Sequence, residues 1–551
     1  MTTTPDRQSQ ELIAFLESPE SYPHRPTEVR AIQTHISWVF IASPFVFKVK
    51  KPVNLGFLDF STLEKRHYFC RREIELNRRL CPEVYLGVVP IYITASGFSF
   101  EAQGEIAEYA VKMRELPHGG PDRRSLSSRR SGAKADGEGG FLSELLEKNL
   151  VGEKEINRMI STLHRFYQTE TPTPEIEQWG TPEKLKISTD ENFAQVEPVV
   201  GKTISSAAFE AIRHFTNRFY IVNENLFCER IQQHRILDCH GDLHLDHVHL
   251  TPDATTIFDC IEFNDRFRFI DIANDLAFLA MDFDFEGRTD LGNLLLRNAA
   301  RELDDAGLLN IANFYKCYRA FVRGKVESIQ ATEKETTNPQ EHERQAARYF
   351  RLAFRYAIAG SEPLILVVMG GVGTGKSTIA KRLASELNWP VLSSDEIRKR
   401  LTGVPLTQRT QPGLRAKIYS AQMTQQTYRK LLVDGLATLK ENRGVILDAT
   451  FSTRALRKFL RDECKKANVV FQFVELEVDV NEIKKRLKLR DEKTGETSDA
   501  RLEDFQKLSA GYEPPSELAP GLIRVSTANS ISDTMKAILL RLAEKQLEAL
   551  R

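Results

Sequence analysis

The chain has 551 residues, 41% of them apolar, and its 76 Lys+Arg balance its 76 Asp+Glu. That is two to four domains' worth of ordinary globular sequence, and the balance excludes both a wholly basic nucleic-acid coat and an acidic solvating chain. The zero sum hides an asymmetry: residues 361–551 carry +8 and residues 1–360 carry −8, as expected for two differently charged domains joined near residue 360.

Residues 1–27 form an N-terminal segment without a basic start followed by an apolar run, and no 18-residue apolar stretch follows anywhere. The expectation is a cytoplasmic protein with no membrane partner. From Val29 to Lys50 the text alternates (VRAIQT, SWVFIA, FVFKVK) and predicts a small antiparallel sheet. Residues 61–80 have helical spacing behind a Ser61–Glu64 capping box. Strand-like text returns at Val84–Ile93 and Glu105–Met113. Residues 118–140 have almost no large apolar side chain and are expected to be a mobile insert. Helical text dominates 141–235 and 272–358, around a strand-and-loop segment at 236–271. After a linker at 359–362, strands alternate with helices (LILVVM, VLSS, VILDAT, VVFQFVELEV), which predicts a doubly wound parallel sheet over 363–551. The cysteines, Cys70, Cys81, Cys228, Cys239, Cys260, Cys317 and Cys464, are scattered and odd in number, as reduced, mostly buried thiols would be.

The first cluster with chemistry is His240-Gly-Asp-Leu-His-Leu-Asp-His247, followed twelve residues later by Asp259. A kinase-like catalytic loop reads H-x-D-x-x-x-x-N, with Asp as base and Asn on the metal, and a second metal-binding Asp in the next strand turn. Asp242 takes the base position, and His247 and Asp259 the metal positions. Upstream, Lys48 and Glu73 have the spacing of a Lys–Glu pair that orients ATP phosphates, with Lys50 and Glu75 as neighbouring alternatives. These motifs, with Asp271-Ile-Ala-Asn-Asp275 downstream, resemble the aminoglycoside phosphotransferase group of kinase-like enzymes over residues 28–358. The resemblance implies an α+β bilobed protein-kinase-like fold.

Two departures stand out. His247 occupies an Asn position although Mg²⁺ prefers oxygen ligands, and no G-x-G-x-x-G flap precedes Lys48. A transition-metal cluster of His240, His244, His247 and His249 with Asp242 and Asp246, or an inactive pseudokinase, remains open from the residues alone.

The second cluster is Gly370, Gly371, Val372, Gly373, Thr374, Gly375, Lys376, Ser377 and Thr378, placed between a buried strand and a helix. It fits G-x-x-x-x-G-K-[ST]: the glycines let backbone N–H groups curl around phosphates, Lys376 reaches the outer phosphates, and the Ser377 hydroxyl ligates Mg²⁺. Asp448 ends strand VILD as the Walker-B acid, and Ala449-Thr450 after it supply no acid to position a water. Asp395, at the tip of the preceding strand, is placed to be a base for an acceptor hydroxyl, and Arg398 to clamp an anion. Arg486 and Arg490 lie one helical turn apart before the polar segment DEKTGETSDA, as arginines of a closing lid would.

GGVGTGKST, SSDEIRKRL, VILDATF and RLKLRD resemble the P-loop kinase group that includes polynucleotide kinase, zeta-toxin-like and gluconate-kinase-like proteins. The tandem resembles bacterial fusions of both kinds of domain. Together they imply an ATP- and Mg²⁺-dependent phosphotransferase with two nucleotide sites, acting on a small-molecule or nucleotide hydroxyl. A C-terminal kinase of nucleic-acid ends or nucleotide sugars beside a regulatory N-terminal domain is the alternative within the same chemistry. An ATP-gated regulator that modifies no small molecule is the alternative outside it.

Overall fold

The computed structural model describes residues 7–95, 97–101, 104–117, 139–332, 336, 338–492 and 498–548. All but residues 139 and 140 of the expected insert lie outside them, as do residues 493–497 of the expected lid segment. Two compact units emerge. The first comprises residues 1–192, 223–322 and 329–339, and the second 193–222, 323–328 and 340–551.

In the first unit, strands β1 (Arg30–Gln33), β2 (Ser37–Ala42), β3 (Phe45–Lys50), β4 (Tyr85–Thr94), β5 (Gly97–Ser99) and β6 (Glu105–Arg114) form one sheet in the order β1-β2-β3-β6-β4-β5. Every pairing is antiparallel. Alternation in FVFKVK divides β3 between two faces. Phe47 and Val49 join Trp38, Phe40 and Ile91 in a core that also takes Leu12, Leu16 and Tyr22 from the N-terminal segment. Lys48 and Lys50 point the other way, toward the helix Leu63–Asn77, whose Cys70 and Ile74 pack on Val84, Tyr85 and Val111.

That helix is capped by Thr62, whose side chain accepts from the Lys65 amide. This corrects the expected Ser61 capping box: Ser61 Oγ donates to Asp59 instead, 2.5 Å away. The rest of the unit is mainly helical, interrupted by β7 (Gly140–Phe141), β8 (Ile236–Asp238), β9 (Val248–Leu250), β10 (Thr255–Ile257) and β11 (Phe269–Asp271). These strands form two small sheets, β10-β9-β7 and β11-β8.

In the second unit, β12 (Leu364–Met369), β13 (Val391–Ser393), β14 (Gly444–Asp448), β15 (Val470–Glu477) and β16 (Ile523–Ser526) pair in parallel in the order β13-β14-β12-β15-β16. This is the doubly wound sheet the sequence predicts, with one further edge strand, β16. The central β12 is buried at every residue, which is why LILVVM does not alternate.

The unit reaches further back in the chain than the expected boundary at 359–362. The helix Ser206–Val222 packs along the C-terminal helix Ile531–Glu548, with Lys536 Nζ 2.7 Å from Glu210. Most of the helix Pro339–Ala359 also belongs here. Helical periodicity shows that such a helix buries one face but not against which partner, so a boundary read from motif spacing misses this exchange.

The seven cysteines are free, and all but Cys228 are buried. Among the described residues no helix is long and apolar enough to cross a membrane.

Candidate functional site

In the first unit the fold gathers Lys48, Glu73, Asp242, His247 and Asp259. Lys48 Nζ lies 2.9 Å from Glu73 Oε1 and 2.6 Å from Asp259 Oδ1. Lys50, fully buried, shares Glu73 through Oε2 at 2.7 Å and also meets Glu262. Both lysines are therefore paired, while Glu75 turns to Arg72, 2.9 Å away. Burial opposes the charges, but Asp259, Glu73 and Glu262 hold the Lys48 ammonium well above its usual pKa. Burial likewise penalises the Asp259 carboxylate, yet Lys48 and His247 hold it well below the usual range. Asp259 adopts a left-handed backbone, φ 64°, with its amide donating to the Tyr85 hydroxyl at 3.1 Å. A non-glycine residue held there is strained, and strain of this kind concentrates at functional sites.

The loop 239–247 is fixed from behind by the helix Ile272–Phe285. The buried Asp275 carboxylate accepts the amides of His240 (3.0 Å) and Gly241 (2.9 Å), and Asp282 accepts that of Leu245 (3.0 Å). Arg319 donates to the Gly241 carbonyl at 2.9 Å. Asp271 caps this helix and receives Arg230 through two bonds, of 2.6 and 2.9 Å. The loop so held presents a half-exposed Asp242. Its Oδ2 is 3.6 Å from His247 Nδ1 and 3.7 Å from His244 Nε2.

Of the expected cluster, Asp242, His244 and His247 lie close enough together to share one ion, but His240 and His249 do not join them. The Nδ1 of His240 accepts the Asp242 amide while its Nε2 donates to the Phe258 carbonyl, and His249 Nε2 donates to the Pro117 carbonyl.

In the second unit the loop 370–375 turns through three glycines of positive φ, Gly370 (140°), Gly373 (73°) and Gly375 (91°), before the helix Lys376–Leu387. A Cβ on Gly370 would stand 2.4 Å from the Leu476 carbonyl oxygen, so the loop's close approach to β15 admits only glycine there. A cavity of about 580 Å³ opens beside the loop, lined by Ser377, Thr378, Asp395, Asp448, Arg486 and Arg490 among others. Lys376 Nζ donates to the Gly371 carbonyl at 2.7 Å. Burial lowers its pKa, partly offset by Asp448 and Asp395. Asp448, at the end of β14, has its pKa raised by burial although Ser377 hydrogen-bonds it and Lys376 is near. This hydroxyl–carboxylate pair at a helix N-terminus is an oxygen donor set that fits Mg²⁺, and the curled loop fits the phosphates of a nucleotide.

Asp395 lies in the first turn of the helix Ser394–Thr402, and Ser393 makes no side-chain cap there, so no capping box ties up this segment. Arg398 is placed differently from the expected anion clamp: it does not line the cavity. Buried, it donates to the Ile418 carbonyl at 3.1 Å and lies over the Tyr419 ring. The helix Val480–Asp491 brings both arginines to the cavity, but Arg486 is already anchored, to Glu482 (2.9 Å), the Thr527 hydroxyl (2.9 Å) and the Thr527 carbonyl (2.7 Å).

Sequence reasoning missed the residues that hold these sites. Thr527, just past β16, donates its hydroxyl to the Thr374 carbonyl at 2.9 Å and so braces the phosphate loop from the sheet edge. Glu262, Tyr85, Arg230 and Arg319 do comparable work in the first unit. Only Glu262, three residues after Asp259, had a local signal. The others act across sequence separations that no motif records.

Over 429 residues, 78% of this chain and 80% of the relative, the sequence is 31% identical to the uncharacterized protein Rv2004c of Mycobacterium tuberculosis. The chain belongs to that protein's family. Residues 365–515, which take in the phosphate loop and strands β12 to β15 but not the edge strand β16, match the AAA_33 family model, an AAA domain. A 138-residue stretch is 28% identical to the gluconokinase of Gluconobacter oxydans, covering 24% of this chain and 68% of that enzyme. Among solved structures, a gluconokinase from Sinorhizobium meliloti aligns over 33% of this chain and 95% of its own, at 21% identity and a TM-score of 0.24.

Proposed function

We propose that the second unit is an ATP-dependent kinase that transfers a γ-phosphoryl group to a hydroxyl of a small molecule or nucleotide. The first unit is then a second phosphotransferase site of the aminoglycoside phosphotransferase-like kind. The observation that carries the first assignment is the meeting of Ser377, Asp395 and Asp448 at one cavity on the carboxyl ends of parallel strands, where doubly wound folds bind their substrates, with Lys376 in electrostatic reach of both carboxylates. The likeness to a gluconokinase supports a small hydroxylic acceptor.

The phosphate loop's amides and Lys376 hold the β- and γ-phosphates. Asp395 takes the proton of the acceptor hydroxyl as its oxygen attacks the γ-phosphorus, and the bond to the ADP oxygen breaks. Ser377 and Asp448 would hold Mg²⁺, which supplies charge neutralisation at the phosphates. Arg490 and Arg486 complete the positive surround. Asp448 is followed in the chain by Ala449 and Thr450 rather than by a second acid of the kind that aligns a water, which favours transfer over hydrolysis. In the first unit, Lys48, oriented by Glu73, would grip the phosphates, Asp242 would be the base, and His247 with Asp259 would hold the metal.

The test is transfer of labelled γ-phosphate to a panel of sugars, sugar acids, nucleosides and oligonucleotide ends. Wild type is compared with Lys376→Ala, Asp395→Asn and Asp242→Asn. Asp395→Asn should reduce turnover by about 10²- to 10⁴-fold with ATP binding retained. Undiminished transfer to every acceptor by a Lys376→Ala/Asp395→Asn double variant would reject the assignment of the second unit. Undiminished transfer by Asp242→Asn would reject that of the first.

A further inference from the structure

His247 lies between two carboxylates, and its tautomer is fixed by its neighbours. Nδ1 faces the backbone carbonyl of Asp242 at 2.8 Å, a group that can only accept, so Nδ1 carries the proton. In the neutral ring, Nε2 is thereby left with a lone pair facing Asp259 Oδ2, 3.5 Å away. Donation of one imidazole N–H to a backbone carbonyl is how proteins orient the other nitrogen as a metal ligand.

A nitrogen and an oxygen each about 2.0–2.2 Å from one ion, at a roughly tetrahedral angle, stand about 3.5 Å apart. The other nearby histidine is set differently. His244 Nδ1 accepts the Asp246 amide at 3.4 Å, so in the neutral ring the proton sits on Nε2, facing Asp242.

We infer that His247 Nε2 and Asp259 Oδ2 form a site for a divalent transition ion that accepts imidazole, of the Co²⁺ or Zn²⁺ class, in preference to Mg²⁺. Mg²⁺ takes oxygen ligands in near-octahedral geometry, whereas imidazole suits the later first-row ions. Asp242 meets the His247 Nδ1 proton through its carbonyl at 2.8 Å, its carboxylate standing farther off at 3.6 Å. This assignment rests on reading the first unit as a phosphotransferase site and specifies the ion that site uses.

The test titrates metal-free full-length protein with Co²⁺ in the absence of nucleotide, following visible d–d absorption and the heat of binding, and then competes with Mg²⁺. Wild type should bind Co²⁺ with the absorption of a nitrogen-ligated site and keep it against a large excess of Mg²⁺. His247→Asn should weaken Co²⁺ binding by at least about tenfold and abolish that absorption. Asp259→Asn, tolerated in a left-handed conformation, should do likewise, and far-UV circular dichroism verifies that each variant is folded. If one variant does not fold, the other carries the comparison.

Co²⁺ binding unchanged by either substitution, or ready displacement by Mg²⁺ from wild type, would overturn the assignment. Because the titration contains no nucleotide, it is independent of transfer. Retained His247-dependent Co²⁺ binding without any Asp242-dependent transfer would sink only the phosphotransferase reading of the first unit.

Discussion

Lys48 and Asp259 stand 211 positions apart in the chain and meet at 2.6 Å, with the ammonium of one donating to the carboxylate of the other. The pair ties β3 to the turn after β10, beside the second tie from Lys50 to Glu262. Asp259 has a folded pKa depressed below its unfolded value of about 3.9. The stability it contributes is therefore complete above that value and is lost as pH falls toward the folded pKa. Asp259→Asn should raise hydrogen exchange at the amides of residues 258–261 at neutral pH. The difference from wild type should shrink steadily below about pH 4, read by exchange mass spectrometry across a pH series.

Asp275 offers a second check on the first unit. It satisfies two buried amides of the 240–247 loop and receives the Tyr167 hydroxyl at 3.2 Å. Asp275→Ala leaves those donors without an acceptor, at about 1–3 kcal/mol each. Protease sensitivity should rise in the loop, and any Asp242-dependent transfer should fall with it.

The brace on the phosphate loop is tested by Thr527→Val. Substitution removes a hydroxyl that donates to Thr374 and accepts from Arg486. With net hydrogen-bond contributions of about 0.5–1.5 kcal/mol each, ATP affinity should drop by roughly tenfold while the fold persists, as measured by calorimetric titration.

Two adjacent glycines should behave differently. Gly370→Ala forces a Cβ against the Leu476 carbonyl at φ 140°, whereas a Cβ on Gly371 meets nothing nearer than the Thr374 methyl at 3.9 Å. Gly370→Ala should cost about 1–3 kcal/mol and abolish nucleotide binding. Gly371→Ala should stay within about 0.5 kcal/mol of wild type in thermal unfolding.

Arg398 separates packing from acceptor binding. Its contacts with Ile418 and Tyr419 predict that Arg398→Met lowers the unfolding temperature and leaves the acceptor KM less altered than Arg490→Met does. Parallel thermal scans and transfer kinetics would reveal the opposite order if Arg398 contacted the acceptor directly.

What the chain determines locally is visible in the sequence alone. Alternation in FVFKVK sets Phe47 and Val49 against Lys48 and Lys50 on opposite faces, and the glycine spacing from Gly370 to Gly375 between a strand and a helix fits a phosphate loop. Both follow from short-range geometry, periods of two residues and positive φ. The pairing of both Lys48 and Lys50 with Glu73, the anchoring of Arg486 on Thr527 and the withdrawal of Arg398 into packing were decided only by tertiary structure. So was the inclusion of residues 206–222 in the second unit. Each depends on which distant surface a helix or strand end meets, and a residue's type and its neighbours in sequence do not encode that choice. The neutral total charge likewise constrains composition, while the folded chain decides which opposite charges touch.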